Sequence, residues 1–539
     1  MDKKSILAIV LSLMVLYIYQ VFFVKPQLQK KITSPQQATA VTDKAVAGKA
    51  VDTEVNPAHA NSMSLQQSKE FEEKEIPLET AEFSAAFTTR GAALKSFKLK
   101  KYRQSIDKKA DLVELVNIKP GIPAPLTVSF AGSDFNVDEN AVYDVKVEKK
   151  LSDRNAEMER LTFTLEYPGV IKIEKIYRFY QGKYNFDLEI RGINLSKNTL
   201  NQFTSLNWYE YVDPQREEDQ YGHEGPVSLT AKNIERDNVK KMAGTKTIGP
   251  DVSWGGFETK YFIAAMIPPS PSLTSLSLSI GAQDTVNLSM KAPKSIIPPG
   301  QTSILTYSMY LGPKDYSILQ ALNVGLENAV DFGDWLKWLA MPLLITLKFL
   351  YNNVAQNYGI AIIILTTLIK IIFWPLGNKS YQSMKEMQKL QPKMAELREK
   401  YKDDKNRLSQ EMMALYKAHK VNPMGGCLPM VIQIPVFFGL YKTLLYAIEL
   451  RHSPLIWWIQ DLSAKDPYYI TPIIMGGTMF LQQKMTPPAG DPMQAKIMLF
   501  MPIIFTVMFL NFPSGLVIYW LFNNIISIGQ QYYINKRAS

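Results

Sequence analysis

A lysine stands inside an apolar run. Gly359 to Pro375 reads GIAIIILTTLIKIIFWP, and Lys370 is its one charged residue. A charge at the centre of a membrane helix costs roughly 2.5–3.5 kcal/mol on insertion scales, so such a residue calls for a reason. Thr366 and Thr367 precede it by four and three residues, spacings that share one face of a helix. Gln433 lies early in a second apolar run, between Pro429 and Pro435, and Tyr519, Trp520, Asn523 and Asn524 lie in a third. If these faces converge they form a wet recess with one fixed cation. Its chemistry is attraction of an anionic group rather than bond breaking. The other reading is that Lys370 reaches back to the headgroups. From Lys370 to Asn378 is eight residues, about 12 Å of helix at 1.5 Å per residue. A lysine stem spans about half of that, so the reach is strained unless water comes in to meet it.

Other chemistries find little to work with. The chain has 539 residues, a net charge of +10 and one cysteine, Cys427, which excludes an internal disulfide and a CxxC site. His59, His223, His419 and His452 are far apart and form no metal spacing. There is no GxxxxGK phosphate loop and no HExxH. Ser514 has no intramembrane His or Asp to activate it. The reading is therefore not an enzyme, with no cofactor. A secondary transporter using Lys370 as its substrate site is the alternative, although the apolar runs show no internal repeat.

The elements that would position these residues follow in order. Residues 1–24 read as an uncleaved membrane anchor, with Lys3 and Lys4 before an apolar run from Ile6 to Val24. Residues 25–75 are rich in Gln, Ala, Lys, Thr and Ser and read as a flexible tether. From 76 to 315 the pattern has period two, best in LTFTLEYPGVIKIEKIYRFYQGKYNFDLEIRGINL (Leu161 to Leu195), which predicts antiparallel strands in a β-sandwich. Trp208, Tyr209, Trp254, Phe257 and Tyr261 there fit core packing, or the lining of a cleft. Residues 316–356 turn helical, and Trp335, Leu336, Trp338 and Leu339 with Lys337 and Lys348 fit either an interfacial helix or a buried connector.

Five further spans are expected within 357–539: Tyr358 to Leu376, Leu428 to Ile448, Tyr468 to Leu481, Ile497 to Leu510 and Gly515 to Tyr532. With the anchor they make six. The 378–422 segment holds eleven basic and six acidic residues, as a cytosolic loop should. Met384, Met387, Leu390, Met394 and Leu397 make it a helical hairpin with one apolar face, interrupted at Pro392. Six spans with both termini in the cytosol and the β-rich domain outside satisfy every loop charge.

NPMGGCLPMVIQIPVFFGLY (Asn422 to Tyr441), DLSAKDPYYITPIIMG (Asp461 to Gly476), MPIIFTVMFLNFPSGLVIYWLFNN (Met501 to Asn524) and SQEMMALYKAHKVNP (Ser409 to Pro423) together resemble the YidC/Oxa/Alb family of membrane protein insertases. The anchor and large outer domain look like the form found in bacteria with two membranes. The resemblance implies an α-helical polytopic membrane protein of six transmembrane helices, with a five-helix insertase core and a large periplasmic β-supersandwich domain. It implies insertion and folding of inner-membrane proteins, alone or with the Sec translocon, through a cytosol-open hydrophilic groove without nucleotide hydrolysis. The implied partners are nascent membrane proteins, the Sec translocon, membrane lipid, and the ribosome through the cytosolic loops and C-terminal tail; DNA is not among them. By motif alignment Lys370, Thr366, Gln433, Tyr519 and Trp520 are the implied groove residues. At position 370 the family usually has arginine. An outer domain dispensable for insertion is expected too, with residues 334 onward and an anchor retained.

Overall fold

The computed structural model describes residues 63–64, 72–149, 157–215, 221–231, 233–242, 244–333, 335–419, 421, 428–486 and 492–537. The expected N-terminal anchor, nearly all of the tether, and Cys427 with its neighbouring glycines lie outside these residues.

The alternating segment folds as expected. Its strands belong to a nine-stranded sheet, labelled here β1–β9 in chain order: Asp144–Lys149, Glu157–Tyr167, Ile171–Tyr180, Asn185–Asn194, Gly225–Thr230, Ile234–Arg236, Val252–Glu258, Phe262–Ile267 and Thr302–Pro313. The spatial order is β6-β5-β7-β8-β9-β4-β3-β2-β1, antiparallel throughout. The Pro-Gly and Gln-Gly pairs make the hairpins β2–β3 and β3–β4, with Gly169 at φ +73° and Gly182 at φ +71°, a conformation glycine adopts without strain. Two smaller sheets of four and five strands pack on one face. Phe87 of the four-stranded sheet meets Tyr177 of β3 with ring centroids 4.8 Å apart, and Phe97 meets Phe186 of β4 at 6.3 Å. Gly255 on β7 lets Leu276 and Met290 of the five-stranded sheet approach closely. Trp208, Trp254 and Phe257 are buried in this sandwich, which decides for packing over a cleft; Tyr209 instead donates its hydroxyl to Glu139 at 2.8 Å.

One inward position of β3 carries a basic side chain. Lys175 occupies the buried phase of β3, fully covered, and donates to the carbonyls of Gly91 (2.9 Å), Ala92 (2.8 Å) and Leu126 (2.6 Å). Burial pushes its ammonium well below the usual lysine range.

Ten α-helices are described in the remainder: α1 Tyr316–Ala321, α2 Lys337–Leu350, α3 Tyr358–Ile372, α4 Trp374–Lys389, α5 Gln391–Lys400, α6 Lys405–Ala418, α7 Leu428–Tyr446, α8 Ile470–Met485, α9 Pro492–Phe509 and α10 Ser514–Arg537. On α2 the side chains of Trp338, Ile345 and Phe349 are exposed while Leu343, Leu344 and Leu347 are buried, so the helix has two apolar faces and one of them is uncovered. A π turn, Tyr351–Ala355, and Gln356 at φ 42° bend α2 against α3 by 115°. The Asn357 side chain then caps α3 by accepting from Ile360 N at 3.0 Å.

Each of the five expected spans within 357–539 contains a helix, but the first of them ends earlier than expected. The helix stops at Ile372, and a new one begins at Trp374 with Pro375 in its first turn. Proline cannot donate in a helix interior and is tolerated at a helix start. Among the described residues no single helix is long and apolar enough to cross a membrane by itself; α2 through its π turn together with α3 reaches that length and composition as a bent pair. The polar side chains of Gln482, Gln483 and Lys484 dilute α8, and those of Asn523, Asn524, Ser527, Gln530 and Gln531 dilute α10. The hairpin closes on its own apolar face: Met387, Leu390 and Met394 are buried, and Tyr416 of α6 points its hydroxyl at Met394 Sδ, 3.8 Å away. Its break falls at Leu390, with Pro392 in the first turn of α5.

Candidate functional site

The site is built around α10, which packs on α3 and α8 and touches α4 and α7. Tyr519, Asn523, Ser527 and Gln530 recur at four, four and three residues and so share one face of it. That face meets a polar group on each neighbour it touches. Lys370 of α3 is half-buried and donates Nζ to Ser527 Oγ at 2.8 Å. The Ser527 hydroxyl donates in turn to Asn523 O, 2.7 Å away. Gln433 of α7 donates Nε2 to Asn523 Oδ1 at 2.7 Å. Gln530 donates to Trp374 O (3.1 Å) and Asn378 Oδ1 (2.9 Å), holding α4. On the adjoining stripe Asn524 donates to Thr478 Oγ1 (3.3 Å) and Gln531 to Met485 O (2.7 Å), both on α8.

The structure thus brings Lys370 and Gln433 together, through Asn523 and Ser527. Thr366 lies one turn before Lys370 on α3, is 1% exposed, and gives its hydroxyl to Ile362 O at 2.7 Å, so it faces the packed part of the bundle. Tyr519 is buried beside Phe437, and its hydroxyl neighbours the Gln433 side chain without closing a well-aligned hydrogen bond. Trp520 stands apart from the polar chain. Its ring packs against Phe437 edge-on at 4.7 Å, and against Phe509 at 5.1 Å and Phe505 at 5.9 Å, in an aromatic cluster joining α7, α9 and α10. Ser527, Gln530 and Gln531 were not singled out from the sequence. Their spacing after Asn523 was the available signal: polar residues every three or four positions along an otherwise apolar helix.

The opposite end of the bundle is tied shut by the segment between α7 and α8. Gly515 N donates to Leu462 O at 2.9 Å, and Ser514 gives its N–H and hydroxyl to Ala464 O, each at 2.7 Å. Asn357 Nδ2 donates to Leu455 O at 2.9 Å, and a side chain at Gly359 would strike Leu455. Arg451 from the same segment donates to Arg103 O in the β domain at 2.6 Å. Among the described residues no three His, Cys, Asp or Glu side chains gather as a metal site would require. The site's chemistry is that of one ammonium in a ladder of neutral donors and acceptors.

Two family models match. One described as YidC periplasmic domain covers residues 75–346, and one described as 60Kd inner membrane protein covers residues 349–539. The membrane protein insertase YidC of Syntrophus aciditrophicus is 62% identical over 547 residues, spanning 100% of both chains. The chain belongs to the YidC family of membrane protein insertases. A second relative, the membrane protein insertase YidC of Geobacter metallireducens, is 42% identical over 539 residues, 99% of this chain and 98% of that one. A crystal structure of an active YidC insertase with its first transmembrane domain resolved aligns at 19% identity and a TM-score of 0.37, covering 88% of this chain and 95% of that one. As a YidC family member the chain is an inner membrane protein with a periplasmic domain, mostly a β-sandwich, followed by C-terminal helices.

Proposed function

We infer that the chain inserts proteins into the inner membrane and helps them fold. In this reading α3 and α7–α10, with the N-terminal anchor, make six transmembrane segments with both termini in the cytosol. The face of α10 that carries Asn523 and Ser527 borders a groove open to the cytosol, and Lys370 is its cation. Lys370 and Gln433 belong to the polar wall, Thr366 and Tyr519 to its deeper, drier end, and Trp520 to the aromatic side where apolar chain would leave for lipid.

The observation that carries the reading is the environment of Lys370. Its one hydrogen-bond partner among the described residues is neutral. A half-buried cation of this kind favours a visiting anion. A helix enters lipid readily because its backbone is satisfied internally; the barrier lies in moving its polar flank across. A wet polar face shortens the dry path for that flank, and Lys370 compensates an acidic residue on it. The membrane potential adds about 2.3 kcal/mol per elementary charge per 100 mV for acidic flanks moving outward. Burial of the arriving apolar helix supplies the rest, so no nucleotide is required. The route runs alone or with the Sec translocon, and its other partners are the ribosome, at the basic α5–α6 hairpin and C-terminal tail, and the surrounding lipid. Solute transport, the alternative, has no support in the relatives or in the geometry.

The test is insertion of a single-span protein with an acidic outer tail into vesicles holding the purified chain. Lys370→Ala is expected to slow insertion about tenfold, one lost charged hydrogen bond, and Lys370→Arg to retain it. Equal rates for wild type and Lys370→Ala across several such substrates would refute the role of Lys370. Site-specific crosslinks from positions 370 and 520 to a stalled nascent chain would map the path directly.

A further inference from the structure

Lysine is a point donor without the planar fork that lets arginine hold both oxygens of a carboxylate. Lys370 does not act by itself here. Its Nζ lies 2.8 Å from Ser527 Oγ, and Ser527 is 2% exposed, so the pair sits within the bundle rather than at its rim. We propose that Ser527 is the second donor of a two-point site for a single carboxylate, the ammonium of Lys370 being the first. This rests on the reading of Lys370 as the groove's cation.

The hydrogen-bond arithmetic supports it. An ammonium only donates, so Ser527 Oγ accepts from Lys370 and keeps its own single proton to give. That proton goes to Asn523 O, four residues back on the same helix, at 2.7 Å. A helical carbonyl in that position already accepts from the backbone N–H four residues on, so the hydroxyl bond is its second and dispensable one. Turning the Ser527 side chain about one torsion releases the proton without leaving a buried acceptor unpaired. The entering carboxylate then takes one bond from Lys370 and one from Ser527. The serine is held in place for this: Gln433 pins the Asn523 side chain one turn before it at 2.7 Å, and Gln530 anchors α10 three residues after it. The polar chain Gln433–Asn523–Ser527–Lys370 is thereby the frame of an oxyanion site as well as a helix contact.

The proposal predicts a coupling that a packing role does not. With lysine at 370, Ser527→Ala removes one charge-assisted bond and should slow insertion of an acidic-tailed substrate about tenfold. In the Lys370→Arg protein the guanidinium supplies its own second donor, and Ser527→Ala should cost less than about twofold. Ser527→Thr, which keeps the hydroxyl, should restore the rate, and Ser527→Cys, a weak donor of similar size, should fall between. The substrate is a single-span protein with an acidic outer tail, compared with the same protein carrying Asn and Gln in place of the acids, in the same vesicles. The neutral substrate should be indifferent to every variant. Equal loss from Ser527→Ala in both backgrounds would overturn the proposal in favour of a packing role. Equal loss for acidic and neutral substrates would assign the site to lipid phosphate or to helix contact and overturn it too. If Lys370→Ala slows insertion and Ser527→Ala does not, the proposal falls while the reading of Lys370 stands. If Lys370→Ala has no effect, both fall.

Discussion

Lys442 Nζ lies 3.0 Å from Asp331 Oδ2, joining helix α7 to the segment by which the chain leaves the β-sandwich. Burial favours the neutral acid, but Lys442 and Arg236 outweigh it and hold Asp331 below the usual carboxylate range. Arg236 of β6 donates to Asn328 O (3.3 Å) and Ala329 O (3.1 Å), and Lys337 at the start of α2 donates to Asn328 Oδ1 (2.7 Å). Residues 326–337 therefore belong to the helical part as much as to the outer domain. This moves the cut point for removing that domain. A chain lacking 76–313 but retaining its anchor should accumulate and insert substrate within about twofold of wild type, since Asp331 keeps its partner. One lacking 76–333 should do measurably worse, because Lys442 loses its carboxylate at a cost of about 1–2 kcal/mol for a partly exposed pair. Asp331→Asn in the full chain should reproduce part of that loss. The check is the protein level and insertion rate of the three side by side; equal behaviour of the two deletions would contradict it.

Glu258 gives the outer domain a pH dependence. Its side chain is fully buried, which raises its pKa, but Lys314 (3.0 Å), His223 (3.1 Å) and Arg236 (2.7 Å) outweigh burial and bring it down to about 2. A carboxylate whose folded pKa lies below its unfolded value stabilises the fold fully above the unfolded pKa and loses that contribution as pH falls through the folded one. Stability should therefore hold above about pH 4.5 and decline from there toward pH 2, by an amount of order 3 kcal/mol. Glu258→Gln should lower stability at pH 7, leaving Lys314 and Arg236 without their shared carboxylate, and should flatten this acid limb. Denaturant titrations of the two proteins at pH 7, 4 and 3 test it; an acid limb unchanged by the substitution would assign it to other carboxylates.

Lys175 should be indispensable to the sandwich despite its polarity. Replacement by Met keeps most of the stem and removes the donor shared by the Gly91, Ala92 and Leu126 carbonyls. Ala92 O retains the Tyr177 hydroxyl at 2.7 Å, so two carbonyls carry the loss. At roughly 1–3 kcal/mol for each buried group left unpaired, Lys175→Met should cost about 3 kcal/mol in chemical unfolding. A change below about 1 kcal/mol would show that the carbonyls find other donors.

The sandwich was legible because strand alternation writes burial directly into the sequence: Ile171, Ile173, Tyr177 and Phe179 point inward, with Lys172, Glu174 and Arg178 on the other phase. Lys175 keeps the inward phase of the same strand, but its partners are backbone carbonyls 49 to 84 residues away, and main-chain acceptors leave no mark on side-chain identity. Lys370 and Gln433 were legible for the opposite reason, as polar residues whose cost in an apolar run is visible without a fold. Ser527 was not, because serine is cheap in a helix and gains meaning only once α3 lies against α10. Trp520 neighbours Tyr519 in sequence and both rings meet Phe437, but its wider packing against Phe505 and Phe509 depends on how α9 lies against α10 and could not be read from spacing. The end of α3 was misplaced by four residues because apolar composition continues through Phe373 and Trp374 while Pro375 forces a new helix start.

Gly476 and Gly477 are adjacent on α8 and differ in what a methyl group would meet. At Gly476 it would strike the Thr506 side chain of α9, whose hydroxyl is fixed to Pro502 O at 2.7 Å; at Gly477 nothing lies within 4 Å. Ala is better than Gly in a helix interior by roughly 1 kcal/mol, so Gly477→Ala should be neutral or slightly stabilising. The same substitution at Gly476 gains that increment but overpacks the α8–α9 contact, a penalty of about 1–3 kcal/mol. It should therefore come out net destabilising, or separate α9 from α8. Thr506→Ala removes the hydroxyl that the new methyl would strike, so it should recover part of the loss in the Gly476→Ala protein while doing little by itself. The measurement is thermal stability of the detergent-solubilised chain, with cysteine crosslinking between α8 and α9 as the geometric readout. Equal tolerance of alanine at both glycines would contradict the close approach of α8 and α9 at this level.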